Sequence, residues 1–584
     1  MSKRWQLCRV EQGEVKALSQ GLGVSPLIAT LLLNRGCKSP YEARVFLDAP
    51  LDSFHDPFIM KGMDLAVSRI TEAINSPEKV LLYGDYDVDG ITGTALLLQV
   101  LQEVGVDISY YIPRRLEEGY GLRPEVVRKA QEKGFRLLIT VDHGTTAVQE
   151  ISLAREMGLD VIVCDHHRPP PTLPPAYAIL NPHQEDCPYP FPALAGVGVT
   201  FKLAQALWST VHGPRFAESA GTKNCLPEYL DLVALGTIAD VVPLTEENRT
   251  FVRHGLEQMA LKPRPGISAL REEAGLRDGP LSAGQVAFIL APRLNASGRL
   301  GDPTLGLRLL ISREEDEARA LARDLEVQNR ERQRIEREIL EDARGEIIRL
   351  GVGRERAFVL ARRGWHPGVI GIVASRLVEE FNRPAVLIAL EDGKGRGSAR
   401  SVPGLDLYWA LSSCQNHLIA YGGHRLAAGF TIAEAEIEPF KDQFYYLARE
   451  TLKEEDLVPV LKIDSEVFLD DLSMEDAVEL EALAPYGLGN PEPTFLARGL
   501  QVMKYPRQVG ENHLKIKVRQ KERVIDAIGF GLAELQGKIT GSPYQTHIAF
   551  YPEIDRYGGR QTLCLRIKDL LLGQGLKIQL VGGV

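Results

Sequence analysis

Lys79-Val80-Leu81-Leu82-Tyr83-Gly84-Asp85-Tyr86-Asp87-Val88-Asp89-Gly90 is a short apolar run that breaks into three acidic residues at alternate positions. The run reads as a strand, and a helical stretch is expected to begin near Thr92, so the whole is a strand, an acidic turn and a helix. Alternate carboxylates can wrap a hard cation, and the helix N-terminus beside them offers N–H groups to a phosphate. An EF-hand is the first competitor. It fails because its loop follows a helix and carries a bidentate Glu at the twelfth position, which here is Leu96.

Outward from this turn, strand-like runs recur at 107–111, 137–141 and 160–164, alternating with helical stretches between about residues 60 and 245. That is a parallel, doubly wound α/β pattern. The runs lead into Pro113-Arg114-Arg115, Asp142-His143-Gly144 and Asp165-His166-His167. Ligands bind at the carboxyl ends of such sheets, so these clusters should converge with the acidic turn. Asp142 alone fits a turn or cap as well as a ligand. Three adjacent potential ligands at 165–167 are harder to read as structural, and Asp240 closes the apolar run 232–239 where no solvation need explains it. Carboxylate and imidazole without thiolate suits Mn²⁺, with Mg²⁺ a weaker match, and argues against structural zinc. Two such ions roughly 3.5–4 Å apart, bridged by one carboxylate, would activate water and stabilise the leaving oxygen of a phosphoester. Phosphodiester hydrolysis is the natural reaction class.

At 584 residues the chain is too long for one core and implies roughly three or four domains. With 44% hydrophobic and 25% charged residues it reads as an ordinary globular protein, without the run of about 18 apolar residues that a membrane span needs. Met1-Ser-Lys-Arg-Trp5 lacks a secretory pattern, so the cytoplasm is the expected compartment. Cys8, Cys37, Cys164, Cys187, Cys225, Cys414 and Cys564 form no C-x-x-C pair, which fits reduced thiols, mostly in the core. A net charge of −10 restricts any nucleic-acid channel to a local basic stripe.

Residues 312–350 read as one long connecting helix, with Ser312 and Glu315 as a capping box. Arg330, Arg332, Arg334 and Arg337 fit either its solvated face or a channel lining. A second α/β module begins near 354, with strands near 357–360 and 385–389 and Gly-rich loops at 393–397 and 422–423. Past about 456, alternating strands at 514–518 and 563–567, the latter entered through a Gly558-Gly559 hairpin turn, mark an all-β, barrel-like module. The expected division is a leader (1–60), a catalytic α/β domain with helical extension (61–311), the connecting helix (312–350), the second α/β domain (351–455), the β module (456–572) and a tail (573–584).

Gly84-Asp-Tyr-Asp-Val-Asp-Gly90, Val141-Asp142, Asp165-His-His167 and Leu235-Gly-Thr-Ile-Ala-Asp240 resemble, in order and spacing, the successive motifs of the DHH phosphoesterase superfamily. The resemblance implies two divalent ions held by Asp87, Asp89, Asp142, His166 and Asp240, with Asp142 bridging. It gives His167 a role shared between metal and scissile phosphate, and Asp85 that of a supporting acid. His143 departs from the small or neutral residue expected after the bridging Asp; it fits an outer-layer group, a third imidazole near the metals, or an incidental residue.

Within the superfamily, the leader (Lys3-Arg-Trp5, Asn34-Arg-Gly36, Asp56-Pro-Phe58) and Pro292-Arg-Leu-Asn-Ala-Ser-Gly-Arg299 resemble the RecJ family. The motifs at 365–376 (from Trp365-His366 to Arg376), 397–401 and 421–429 resemble its DHHA1 domain, and the β module its OB fold. Gly-rich loops beside Arg and Ser can present N–H groups and a bidentate guanidinium to phosphate. His366, Arg376, Ser398, Arg400, Gly422, Gly423 and His424 are therefore candidate substrate contacts, although the glycines also fit plain loop geometry. Arg293, Asn295 and Arg299 fit either a grip on the nucleic-acid backbone or a brace between domains, and Lys515, Lys517 and Arg519 either a base-holding face or an ordinary exposed strand.

The resemblance implies a monomeric 5′–3′ exonuclease specific for single-stranded DNA. It would release mononucleotides in recombination and repair, after a helicase has opened the duplex and beside a single-strand-binding protein. A phosphodiesterase for cyclic dinucleotides or short oligoribonucleotides is the alternative, disfavoured by the leader and β module. A non-catalytic scaffold for DNA or replication proteins is the second, disfavoured by the full ligand set. Some RecJ proteins carry a further carboxy-terminal domain, whereas this chain stops soon after the β module, which leaves the partner contacts of such a domain open.

Overall fold

The computed structural model describes residues 3–76, 78–119, 121–213, 226–277, 279–351, 355–503, 506–539, 546–556, 561–573 and 578–582. They form two compact units: His55–Asp240 with His254–Pro459, and Ser2–Phe54 with Val241–Arg253 and Val460–Val584. Among the described residues no single helix is long and apolar enough to cross a membrane. Cys37, Cys164 and Cys414 are buried, Cys8, Cys187 and Cys564 half-buried, and no disulfide joins these six.

The second unit opens the chain with β1 (Arg4–Arg9), α1 (Gln12–Leu22), α2 (Pro26–Asn34) and α3 (Pro40–Asp48). The first unit then runs through α4 (Met63–Asn75), β2 (Lys79–Gly84), α5 (Val88–Glu103), β3 (Asp107–Tyr111), α6 (Arg115–Glu118), α7 (Pro124–Glu132), β4 (Phe135–Val141), α8 (Val148–Glu156), β5 (Asp160–Cys164) and β6 (Ala178–Leu180). These strands pair parallel in the order β3-β2-β4-β5-β6. β4 and β5 are buried over most of their length, which is why they read as unbroken apolar runs. α5 starts at Val88, four residues before the expected Thr92. The Asp87 carboxylate caps it, accepting from the Asp89 and Gly90 N–H groups at 3.1 and 3.3 Å. α9 (Gly196–His212) and α10 (Leu230–Ala239) pack against α5.

α11 (Ala291–Leu300) leads to α12 (Glu315–Leu350), the long helix expected from residue 312. The Ser312–Glu315 capping box does not form. The Ser312 hydroxyl lies against the Glu317 carboxylate and the Glu314 carbonyl, and the helix starts without a side-chain cap. Thirty-six residues anchored by buried Leu321, Leu325 and Ile339 do not depend on one cap. Arg330 and Arg334 pair along the helix with Glu326, Glu331 and Glu338, as on a solvated face, whereas Arg332 is buried against Glu336.

β7 (Phe358–Arg363), α13 (Ile370–Phe381), β8 (Ala385–Glu391), β9 (Lys394–Arg400), β10 (Leu418–Gly423) and β11 (Ala427–Ala433) follow. The strands make a mixed sheet of order β10-β11-β9-β8-β7 in which β7 and β8 alone run parallel. Most of the stretches 393–397 and 422–423, expected as loops, is therefore strand. A Cβ at Gly395 would fall 2.6 Å from Ile388 and one at Gly397 2.2 Å from the Phe430 ring. Glycine here makes room for side chains lying across the sheet.

The second unit resumes with β12 (Val460–Ile463), β13 (Ser465–Glu466), β14 (Phe495–Val502), β15 (Arg507–Val509), β16 (His513–Gln520), β17 (Arg523–Gly529), β18 (Thr546–Asp555), β19 (Thr562–Leu572) and β20 (Gln579–Gly582). β14, β18, β19, β17 and β16 pair in turn, and β16 returns to β14, closing a five-stranded barrel. Leader residues Val15, Leu18, Leu31 and Leu32 share its core with Leu514, Phe550 and Leu565. β1 lies between β12 and β20, parallel to both. On β16, Lys517 and Arg519 are engaged by Asp526 and Glu522 at 3.5 and 3.7 Å. The Gly558-Gly559 turn and Cys225 lie outside the described residues.

Arg249, 1% exposed, ties this unit together: its guanidinium lies 3.9 Å from the Phe46 ring centroid and donates to the Phe46, Ala484 and Pro485 carbonyls. Arg249→Met keeps the stem but leaves three carbonyls without that donor. A loss of about 2–4 kcal/mol is expected in denaturant unfolding, and a loss below about 0.5 kcal/mol would refute the strut.

Candidate active site

The parallel ladder runs one residue past three strands. Asp85 N–H donates to Val141 O, Asp142 N–H to Cys164 O and Asp165 N–H to Leu180 O, which sets three aspartates side by side. Asp87 and Asp89 come from the turn and first turn of α5, His166 and His167 follow β5, and Asp240 ends α10. Their ligand atoms form three overlapping groups, each within 4.8 Å: Asp142, His166 and His167; Asp89, His166 and Asp240; Asp85, Asp87 and Asp142. His166 Nε2 lies 3.2 Å from Asp142, 3.6 Å from Asp240 and 3.8 Å from Asp89. Asp142 adopts a left-handed backbone, φ 65°, a conformation that Asp tolerates better than most residues.

Burial and then mutual repulsion raise the carboxyls, Asp89 to about 7 and Asp85, Asp142 and Asp240 well above the usual range. Asp89 is partly compensated by the Gly196 and Val197 N–H groups at the start of α9, 2.7 and 2.8 Å away. Asp85 Oδ1, Asp142 Oδ1 and His166 Nε2 are buried with no hydrogen-bond partner. Burial, then the charge of His167, pushes His166 down to about 3, leaving a neutral imidazole beside carboxylate oxygens. This hard-oxygen and imidazole donor set fits a divalent cation.

Asp165, one of the three adjacent potential ligands in the sequence but given no role of its own there, organises the histidines. It accepts from the N–H groups of Thr145, His166 and His167 at 2.9, 2.8 and 3.1 Å, and from His167 Nδ1 at 2.7 Å. Burial alone would lower His167, but the Asp165 hydrogen bond and charge lift it to about 9, and Asp165 is held well below the usual carboxylate range. Its one legible signal is its position at the head of Asp165-His166-His167. His143 turns away from the metal candidates. Its Nε2 lies 2.9 Å from the Tyr83 carbonyl, its ring meets the Tyr83 ring edge-on, and burial lowers it to about 4.

The remaining candidates divide. Arg293 pairs with Glu326 of α12 at 2.8 Å, Asn295 Oδ1 accepts from the Val88 N–H at 3.1 Å, and Arg376 pairs with Glu336 of α12, so all three brace helices. His366 Nδ1 accepts from the Gly368 N–H at 3.1 Å, and Gly422 and Gly423 pair with Gly429 and Ala428 in the β10–β11 ladder. The His424 ring stacks on that of His167, with centroids 6.2 Å apart at 17°, bringing the mixed sheet to the cluster.

Arg299 and Arg400 make side-chain hydrogen bonds only to Gly368 O, Ala399 O and Ser398 Oγ among the described residues. Burial, then the charge of Arg115, lowers both, Arg299 to about 10. Arg114 pairs with Glu117 instead, so Arg115 alone of that strand-end cluster joins the site. Arg115, Arg299 and Arg400 thus lie within electrostatic reach of one another, and none of them has a carboxylate partner among the described residues, unlike Arg293, Arg332 and Arg376.

Residues 79–237 match the DHH family N-terminal domain, 355–453 the DHHA1 domain and 463–569 the RecJ OB domain. Over 583 residues the chain is 36% identical to the single-stranded-DNA-specific exonuclease RecJ of Escherichia coli K12, spanning 98% of this chain and 100% of that one. The chain belongs to the RecJ family. RecJ of Bacillus subtilis 168 is 40% identical over 576 residues, 98% of this chain and 71% of that protein. RecJ from Thermus thermophilus in complex with Mn²⁺ superposes with a TM-score of 0.83 at 32% identity, over 98% of this chain and 80% of that one. Its Mg²⁺ complex gives 0.77 at 30% identity, over 99% and 79%. In RecJ terms the parallel sheet is the DHH domain, the mixed sheet DHHA1 and the barrel the OB fold, as the sequence implied.

Proposed function

We propose that this chain is a metal-dependent exonuclease that degrades single-stranded DNA in the 5′ to 3′ direction and releases mononucleotides. The observation that carries this reading is the group of three guanidiniums, Arg115, Arg299 and Arg400, that have no carboxylate partner among the described residues, the first two with charges that reach the Asp and His cluster. Asp85 and Asp87 lie within the electrostatic reach of Arg115 and Arg299 respectively. An anion pocket next to a hydrolytic centre suits a substrate that ends in a phosphate, and planar guanidiniums suit phosphate oxygens.

Asp87, Asp89, Asp142, His166 and Asp240 would hold two divalent cations, with Asp142 shared, and Asp85 and His167 at the margin. The imidazole favours Mn²⁺, with Mg²⁺ second. When bound, such ions supply Lewis-acid stabilisation of charge at a phosphoester. His167, kept protonated by Asp165 in the metal-free protein, offers a donor to the scissile phosphate, and His424 stacks behind it. Arg115, Arg299, Ser398 and Arg400 grip the terminal phosphate, so hydrolysis proceeds inward from one end. His366, Gly422 and Gly423 shape the adjoining surface, and Arg293, Asn295 and Arg376 hold the frame.

We take the segments 61–311, 351–455 and 456–572 as the working domains, with the leader, the helix 312–350 and the tail 573–584 around them. The setting is recombination and repair in the cytoplasm, as a monomer acting on strands opened by a helicase and covered by a single-strand-binding protein. The test is incubation with 5′- and 3′-labelled single strands, matched duplexes and cyclic dinucleotides, in Mn²⁺ or EDTA. Mononucleotides should leave the 5′ end of single strands alone, and EDTA should stop them. Binding without cleavage at any Mn²⁺ concentration, or first release from the 3′ end, would overturn the proposal.

A further inference from the structure

We infer that Tyr86 positions Arg115 in the phosphate pocket and thereby sets the preference for a 5′-phosphorylated end, an inference that rests on the pocket reading above. Arg115 heads the short helix α6, and its side chain makes no hydrogen bond or ion pair to any described residue. It lies over the Tyr86 ring, 5.1 Å from the centroid. Arg299 and Arg400 both feel its charge, so repulsion alone would send this half-exposed side chain out into water.

A carboxylate could hold Arg115 there, but it would neutralise the guanidinium and occupy its donors. An aromatic face attracts a cation within about 6 Å and leaves the in-plane N–H groups free for an anion. Tyr86 is itself fixed. Its ring is 8% exposed, and it sits between two cluster acids, Asp85 and Asp87. Gly298 of α11 lies so close that a Cβ there would fall 2.7 Å from the Tyr86 carbonyl oxygen, and the next residue along α11 is Arg299. One loop therefore ties the acids of the metal cluster to two arginines of the pocket. The Tyr86 hydroxyl makes no hydrogen bond among the described residues, so the ring face and not the hydroxyl is the working part.

The test compares steady-state cleavage of 5′-phosphorylated and 5′-hydroxyl single strands. Tyr86→Leu should lower the wild-type preference about tenfold, through KM for the phosphorylated strand and not through kcat, with the Mn²⁺ midpoint in place. Tyr86→Phe should restore the wild-type ratio. Tyr86→Met, whose longer unbranched chain can better fill the space left by the ring, serves if the leucine variant melts early. An unaltered ratio in Leu and Met variants, or an equal drop in the Phe variant, overturns the inference. Arg115→Ala separates the two claims. If it leaves the ratio unaltered, the pocket reading itself fails; if it lowers the ratio while Tyr86→Leu does not, the role of Tyr86 alone fails.

Discussion

Asp142→Asn should leave single-strand binding in place and slow hydrolysis by about a thousandfold or more. Asp142 belongs to two of the three candidate ligand groups and is buried with an oxygen that has no hydrogen-bond partner. Asn keeps its shape and tolerates the left-handed backbone at φ 65°, so the change removes charge without disturbing the turn. Single-turnover cleavage in saturating Mn²⁺ and DNA affinity by fluorescence anisotropy read the two effects separately. A variant within tenfold of the wild-type rate would show that Asp142 is not shared between metals.

Asp165→Asn is expected to cost about 10- to 100-fold in kcat or in Mn²⁺ affinity, although Asp165 is not itself in any candidate ligand group. The carboxylate collects three backbone N–H groups and the His167 ring, and Asn has one acceptor oxygen and no charge with which to do so. Without that charge, burial is free to push the His167 imidazole down from about 9. The ring loses the hydrogen bond that orients it and the charge that favours its protonation. Measuring kcat across an Mn²⁺ titration checks this, and wild-type values for both quantities would sink it.

The parallel sheet and most of its cluster were legible because each signal is local. β2, β4 and β5 are apolar runs ending in acids or histidines, and such runs have few readings. Asp165 and Arg115 were harder to read. Each was visible as a charged residue at the end of a strand, but what Asp165 collects and what Arg115 lacks are set by residues distant in sequence. Gly395 and Gly397 read as loop for a related reason, since side chains that require glycine there, Ile432 beside Gly395 and the Phe430 ring beside Gly397, lie more than thirty residues on. The capping box at Ser312 is the opposite case, a correct local pattern that long-range packing of α12 made unnecessary.

The sheet β12-β1-β20 carries a consequence for biosynthesis. β1 leaves the ribosome long before its neighbour β20: Gln6 and Gln579, whose side chains hydrogen-bond at 3.0 Å, are 573 residues apart. At translation rates of about 5–20 residues per second, that separation is roughly half a minute to two minutes. Throughout that interval the finished β1 has an open edge, the kind of surface that recruits wrong partners. The residues of the catalytic unit, 55–240 and 254–459, have all been made by then, while the barrel unit is still waiting for its last strand. The β1 edge is thus exposed for the whole of that interval, and a nascent-chain chaperone would have that time to act on it.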